Sequence, residues 1–114
     1  MQRQFRLRRS ADFDRVRAEG RRWQQGLLAI SVAPNDLSHN RFGFVTSRRL
    51  GGAVVRNRVR RVLREVVRQS QHALKPGFDI TIVARNEIVG QPYSNVRLAL
   101  EGLLKRAGLW REEG

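Results

Sequence analysis

The chain has 114 residues, no cysteine and a formal net charge of +13. Its length suits one domain with a modest core, and a hydrophobic fraction of 40% favours folding over disorder. Without cysteine, disulfides and thiolate metal sites are excluded. The sequence has neither an apolar run of about 18 residues nor a signal-like start. We therefore expect no membrane partner and a cytoplasmic location.

The positive charge is concentrated in two segments. Residues 3–22 hold eight arginines and three acidic residues, whereas residues 41–68 hold nine arginines and a single acidic residue, Glu65. Positive and negative side chains balance in the rest of the chain. Charge of one sign concentrated in this way is typical of a surface that binds a polyanion, so RNA or DNA is the favoured partner.

The first half of the chain predicts one helix and two or three strands. Residues 1–9 are expected to form a mobile basic arm, and a short helix is predicted over 11–19. Apolar, partly β-branched residues predict a strand over 26–33. Residues 41–47 predict its partner in a hairpin, and a further short strand is expected over 22–24.

The second half predicts a long helix, a strand and a final helix. The long helix covers residues 53 to about 74 and carries one apolar stripe, formed by Val55, Val59, Val62, Leu63, Val66 and Val67. A strand over 78–84 and a helix over 94–107 follow, and residues 109–114 are expected to form a short tail. A single mixed sheet with helices packed against it buries both helical stripes in one domain over 1–114.

The long helix has two interpretations. A helix with one apolar stripe is commonly just solvated on its other side. Here, however, six arginines face the single acid Glu65, so ion pairing within the helix cannot account for them. Arg48 and Arg49 add charge near the helix N-terminus, where free N–H groups favour anions. Phosphate binding is therefore favoured, while Asn57 fits either a hydrogen bond to the Gly51–Gly52 turn or a contact with RNA.

Aromatic and acidic residues point to binding rather than catalysis. Phe42 and Phe44 share one face of their strand, which is either core or an open platform for single-stranded nucleic acid. The acidic residues are scattered, and His39 and His72 lack the spacing of a metal-ligand pair. A nuclease built from these residues alone would lack its acid and base.

The segment over 41–65 resembles the signature of the bacterial ribonuclease P protein family, including its Arg-Asn-Arg core at 56–58. The resemblance extends to RRSADF at 8–13 and to the strand over 78–85, so it covers most of the chain in the right order. It implies an α+β fold, a two-layer α-β sandwich of order αβββαβα. The four-stranded mixed sheet would contain a left-handed βαβ crossover, against the usual right-handed rule.

The resemblance also implies a division of labour between protein and RNA. The RNA subunit would be the catalyst that removes the 5′ leader of precursor tRNA, using Mg²⁺ held mainly by RNA, so the protein itself would bind no cofactor or metal. The expected partners are ribonuclease P RNA, with one protein per RNA, and precursor tRNA through its leader. An RNA-binding module such as a ribosomal protein is the alternative, and a DNA-binding domain is less favoured because no short helix and tight turn precede the arginine helix.

The family's site residues transfer by position, and none is catalytic. The residues expected to contact the catalytic RNA are Arg48, Arg49, Arg56, Asn57, Arg58, Arg60, Arg61, Arg64 and Arg68. Those expected in the leader cleft are Phe13, Arg17, Ser31, Phe42, Phe44, Ala84 and Arg85. Arg17 and Ser31 stand where the family often has aromatic residues, and Gly52 where it often has Asn. Leader binding is therefore expected to depend more on charge and less on stacking.

Overall fold

The computed structural model describes residues 2–111, and a four-stranded sheet forms its centre. The strands are β1 (Arg21–Gln24), β2 (Leu28–Pro34), β3 (Arg41–Val45) and β4 (Phe78–Ala84). The helices are α1 (Ser10–Glu19), α2 (Ala53–Ser70) and α3 (Tyr93–Arg106), and short 3-10 helices cover Arg3–Phe5, Arg48–Leu50, Gln71–Ala73 and Asn86–Ile88. This order confirms the predicted fold class and all seven predicted helices and strands. None of the helices in residues 2–111 is long and apolar enough to cross a membrane.

The strand order corrects one prediction. The sheet runs β1-β2-β4-β3, with β4 antiparallel to β2 and parallel to β3. The hairpin predicted between the strands over 26–33 and 41–47 is therefore wrong, because β4 lies between them. β4 takes this central place because most of its residues are buried on both faces. The parallel unit β3-α2-β4 confirms the predicted mixed sheet, while the left hand of its crossover stays a prediction.

Each face of the sheet packs against different helices. Alternation along β2 sends Ile30 and Val32 to one face, and Ser31 and Ala33 to the other. The first face joins the main core with the apolar stripes of α2 and α3. The second face packs against α1, where Ala33 forms a small cluster with Leu7 and Val16. The two faces therefore offer separate surfaces for function.

The N-terminal segment is docked on the edge of the sheet. The prediction of a mobile arm over 1–9 is corrected here, because Leu7 is 6% exposed and its N–H donates to the Phe42 carbonyl at 2.8 Å. Arg6 forms a parallel bridge with the same strand residue. One apolar anchor and one strand-like pairing thus hold a segment that charge alone predicted to be mobile.

The C-terminal residues that the structure describes are also packed. Leu109 is 2% exposed, Trp110 bridges to Leu74, and the Arg111 N–H donates to the Ala73 carbonyl at 2.7 Å. The tail predicted over 109–114 therefore begins as part of the core. The rest of that prediction, residues 112–114, lies outside the described residues.

Candidate nucleic-acid interface

A glycine turn brings the exposed Arg48 and Arg49 to the start of α2. Gly51 has a φ of 139°, a backbone conformation that residues other than glycine rarely adopt. A Cβ atom at this position would also lie 3.2 Å from the side chain of Val55. The turn lets α2 begin at Ala53, directly after the 3-10 helix that carries the two arginines.

Three arginines of α2, spaced four residues apart, lie along the side of the helix next to β3. Arg56, Arg60 and Arg64 are half-buried. Arg64 places its guanidinium 6.0 Å from the centre of the Phe44 ring, which is close to the limit of a cation–π contact. We call Arg56, Arg60 and Arg64 the α2 arginine row.

Arg60 is held in place by two side-chain oxygens. Its Nη1 donates to Thr46 Oγ1 at 2.7 Å, and its Nη2 donates to Asn57 Oδ1. Asn57 therefore accepts a hydrogen bond from the arginine one helical turn later, a role that neither sequence interpretation anticipated. The other N–H groups of the Arg60 fork remain available for an oxyanion.

The α2 arginine row carries unsatisfied charge. Burial, followed by the positive charges of Arg6 and Arg60, lowers the pKa of Arg64 from its ordinary value. Among residues 2–111, no hydrogen-bond partner reaches the buried Nε atoms of Arg56 and Arg64. Buried donors of this kind ordinarily have an acceptor. A phosphate oxygen would supply the acceptor and offset the repulsion.

The remaining arginines of α2 have different surroundings. Arg68 donates to both carboxylate oxygens of Glu65, at 2.6 and 3.0 Å, which raises the pKa of Arg68 and lowers that of Glu65. Arg61 is exposed, between the row and this ion pair. Arg58 lies away from the row, in a groove that it shares with apolar side chains of α2 and with residues 88–91. The structure thus groups part of the predicted RNA-binding set and separates Arg58 from it.

The predicted leader cleft is divided by the sheet. Phe42 is 1% exposed in the main core, and Phe44 and Ala84 belong to the same core face. Phe42 and Ala84 are buried, so placing these two residues in an open cleft is a prediction that the structure corrects, whereas Phe44 is half-buried on that face. The reason is strand alternation, since this face is the one that α2 covers. Phe13, Arg17 and Ser31 are on the α1 side of the sheet.

On the α1 side, Phe13 packs directly against the sheet. A Cβ atom at Gly43 would lie 2.5 Å from the Phe13 ring, so the absence of a side chain there makes room for it. Arg17 is exposed and donates to Asp14 at 3.1 Å. Ser31 is buried beside Thr81, its neighbour on β4. Phe13 and Arg17 of α1 therefore lie at the border of this face of the sheet, and Ser31 lies in the floor of the face.

Strand register adds residues that the sequence analysis missed. Val45, Val83, Ala29 and Gln24 are paired across the four strands and form one row on the α1 face. Val45 is 38% exposed, so this end of the face is open where α1 does not cover it. At the same end, Arg85 donates to Gln24 Oε1 at 3.4 Å. Alternation alone could have assigned these residues a face, but joining them required the strand order.

A buried carboxylate joins α1 to the sheet. Asp79 is fully buried and accepts hydrogen bonds from Arg41 at 2.7 and 2.8 Å, from Asn35 at 3.0 Å, and from Arg15 of α1. Burial is the largest influence on the pKa of Asp79 and raises it. The Arg41 and Asn35 hydrogen bonds, with the charges of Arg41 and Arg15, outweigh burial and hold this pKa below its ordinary value. In the sequence, Asp79 is the second residue of the strand predicted over 78–84, and nothing local indicates these partners.

The acidic and histidine side chains of residues 2–111 include no group of three arranged to hold a metal ion.

Comparison with known proteins gives consistent matches. The family model described as Ribonuclease P matches residues 1–108. The ribonuclease P protein component of Roseiflexus castenholzii is 41% identical over 96% of this chain and 90% of that protein. The corresponding protein of Chloroflexus aurantiacus is 43% identical over 96% of this chain and 82% of its own length.

Solved structures match at the level of the fold. The RNase P protein of Staphylococcus aureus superposes with a TM-score of 0.87 at 27% identity, covering 94% of this chain and 98% of that one. The RNase P protein of Thermotoga maritima superposes with a TM-score of 0.83 at 31% identity, covering 96% and 98%.

Proposed function

The chain belongs to the ribonuclease P protein family, and from this membership we propose that it binds the catalytic RNA and the 5′ leader of precursor tRNA. As a member of this family it is the protein subunit of a tRNA-processing enzyme. Binding by this subunit assists endonucleolytic removal of the leader, which leaves the mature 5′ end of the tRNA.

The α2 arginine row carries the proposal for the catalytic RNA. Arg60 is oriented by Thr46 and Asn57, and no carboxylate among residues 2–111 pairs with any member of the row. Arginine forks match the geometry of phosphate oxygens, so an oriented row of them suits an RNA backbone. Arg48, Arg49 and Arg61 extend this surface along α2 and beyond its start.

The leader is assigned to the α1 side of the sheet. Phe13 offers an aromatic edge, Arg17 and Arg22 offer exposed charge, and the row from Val45 to Gln24 forms a shallow floor. Single-stranded nucleic acid binds surfaces that combine positive charge with aromatic or apolar contacts. With Phe42 buried and Phe44 half-buried on the other face, charge is the main attraction here.

We assign the chemistry of cleavage to the RNA subunit, with Mg²⁺ held mainly by RNA. Among the carboxylates of residues 2–111, Asp79 is engaged by Arg15 and Arg41, and Glu65 by Arg68. These side chains act in packing and charge balance. One protein per RNA is the stoichiometry we propose, in the bacterial cytoplasm.

The test is cleavage of precursor tRNA at low Mg²⁺ by a bacterial ribonuclease P RNA, with and without the protein. We expect the protein to raise the rate of correct 5′ cleavage. An unchanged rate would contradict the proposal.

Leader binding is tested separately with Arg17→Gln. This variant should weaken the affinity of the reconstituted complex for precursor tRNA and leave its affinity for mature tRNA unchanged, because only the precursor carries the leader. Equal losses for both RNAs would place Arg17 against the tRNA body instead.

A further inference from the structure

A second arginine cluster surrounds a cavity at the N-terminal segment. The cavity has a volume of about 580 Å³ and is lined by Arg3, Arg6, Arg8, Arg9, Asp12 and Arg41. We call it the N-terminal arginine pocket. None of its first four arginines belongs to either surface assigned above.

The acidic groups in reach of this pocket are already engaged. Asp12 lies 3.7 Å from Arg41, and Arg41 is in turn bound to the buried Asp79. Within residues 2–111, the ion pairs include none with Arg3, Arg6, Arg8 or Arg9. Four like charges therefore face one cavity, an arrangement that costs free energy until an anion enters.

The fold holds this segment in position. Besides the pairing of Leu7 with β3, Phe5 packs edge-on against His39 with ring centres 5.4 Å apart. His39 Nε2 is also 3.1 Å from the Gln4 carbonyl oxygen. These contacts lie on both sides of Arg6, so the arginines project from a docked backbone. A ligand therefore gains their charge without ordering the segment first.

The pocket also continues the α2 surface. Arg6 lines the pocket and lies close enough to Arg64 for its charge to lower the Arg64 pKa. A second cavity of about 660 Å³ separates the N-terminal segment from α2, and its lining includes Phe5, Arg61 and Arg64. Arginines thus line the cavities on both sides of the N-terminal segment, Arg61 and Arg64 on the α2 side and Arg3 to Arg9 in the pocket.

We propose that the N-terminal arginine pocket binds a phosphate group of an RNA backbone and extends the α2 surface across the edge of the sheet. This inference rests on the proposed function for its RNA partner. The phosphate belongs either to the catalytic RNA or to the leader, and both present the same chemistry to the pocket.

The test uses the double variant Arg3→Gln/Arg8→Gln, which removes two charges from the pocket and leaves Arg6 and Arg9 in place. The matched control, Arg21→Gln/Arg106→Gln, removes two exposed charges near the opposite edge of the sheet. Both are compared with the unaltered protein for affinity to ribonuclease P RNA, and to precursor and mature tRNA in the reconstituted complex, over a range of salt concentrations.

We expect the pocket variant to lose about tenfold in affinity, the equivalent of one charge-assisted hydrogen bond. Its plot of log affinity against log salt should flatten by about 0.7 to 0.9 for each phosphate that the variant no longer neutralises. A loss seen with ribonuclease P RNA alone assigns the phosphate to that RNA, and a loss seen only with precursor tRNA assigns it to the leader. Equal affinities and equal salt slopes for the pocket variant and the control variant would overturn the proposal.

A second measurement does not depend on RNA. Inorganic phosphate should raise the Tm of the unaltered protein above its value in chloride at equal ionic strength, because a ligand of the folded state stabilises it. The rise should be smaller for Arg3→Gln/Arg8→Gln and undiminished for the control pair. An equal rise in Tm for both variants would overturn the proposal that this pocket binds phosphate. Failure of the unaltered protein to bind ribonuclease P RNA would instead overturn the proposed function.

Discussion

Two groups of arginines on this protein have the same chemistry and different surroundings. Arg15 and Arg41 converge on the fully buried carboxylate of Asp79, where α1 meets the sheet. Arg60 and Arg64, on the other side of the sheet, meet a hydroxyl and an aromatic ring instead. The first group is neutralised within the protein, and the second keeps its charge for a partner.

The difference shows that the number of arginines in a segment does not tell how many of them are available to bind RNA. Arg41 lies at the start of the family-like segment, yet its charge is used to attach α1 and β3 to β4. Arg68 extends the α2 arginine row in sequence, yet Glu65 neutralises it. What separates Arg15 and Arg41 from Arg60 and Arg64 is that a buried carboxylate lies within reach of the first two in the folded chain.

The largest effect should come from removing the carboxylate of the structural group. Asp79→Asn leaves Arg15 without its carboxylate partner and leaves Arg41 with only Asp12, 3.7 Å away. Breaking a buried ion pair costs about 3–5 kcal/mol, and we expect the lower end because these arginines keep 29% and 25% of their side-chain exposure. The free energy of unfolding in urea measures this loss. The exposed pair supplies the control, since Glu65→Gln should change it little.

Lowering the pH should also reduce the stabilisation that Asp79 contributes, by less than the Asp79→Asn substitution does. The pKa of Asp79 is lowered in the folded protein from an ordinary value of 3.8, so its contribution is complete above that value and is lost as pH falls through the lower folded value. Unfolding measured from neutral to acid pH should show this loss in the unaltered protein. Asp79→Asn should lack that part of the pH dependence. Parallel curves for the two proteins would disagree with this assignment.

Removing an arginine of the second group should lower the affinity for RNA rather than the free energy of unfolding. Arg60→Gln removes one oriented guanidinium, so affinity for ribonuclease P RNA should fall about tenfold and the salt slope should flatten by about 0.9. Its free energy of unfolding should change far less than that of Asp79→Asn. Filter binding at several salt concentrations, paired with urea unfolding, tests both parts. If Arg60→Gln lowered the free energy of unfolding but left the RNA affinity unchanged, Arg60 would belong with the structural arginines.

The smallest effect should come from the hydroxyl that orients Arg60. Thr46→Val removes the hydroxyl that accepts a hydrogen bond from Arg60 while keeping the charge and the side-chain shape. We expect a loss of a few-fold in RNA affinity with an unchanged salt slope, because the same phosphates remain neutralised. A flattened slope would mean that Thr46 itself contacts the RNA.

Local patterns predicted the elements well. The apolar stripe of α2 and the alternation of β4 are repeated along the segments themselves, so periodicity was sufficient to find them. The hairpin prediction failed for a different reason. Nothing in residues 26–47 shows that a strand some forty residues further along will lie between β2 and β3.

The candidate site was predicted unevenly for the same physical reason. Arg56, Arg60 and Arg64 recur every fourth residue of one helix, and this spacing is sufficient to place them on one helix face. The leader cleft depends on which sheet face a helix covers: Phe42 is buried on the face under α2, and Phe13 of α1 is half-buried against the other face. The N-terminal arginine pocket was missed because concentrated charge predicted a mobile segment, whereas the burial of Leu7 and the pairing with Phe42 hold that segment on β3.

The sequence by itself determined the α+β class, the arginine helix, the concentration of charge and the family, because each is written in local order and spacing. Only the tertiary structure decided which arginines are free, which aromatic residues are buried, and where the N-terminal segment lies. Those outcomes depend on contacts between residues far apart in the chain. The pairing of Asp79 with Arg15, from the first helix to the last strand, is the clearest of them.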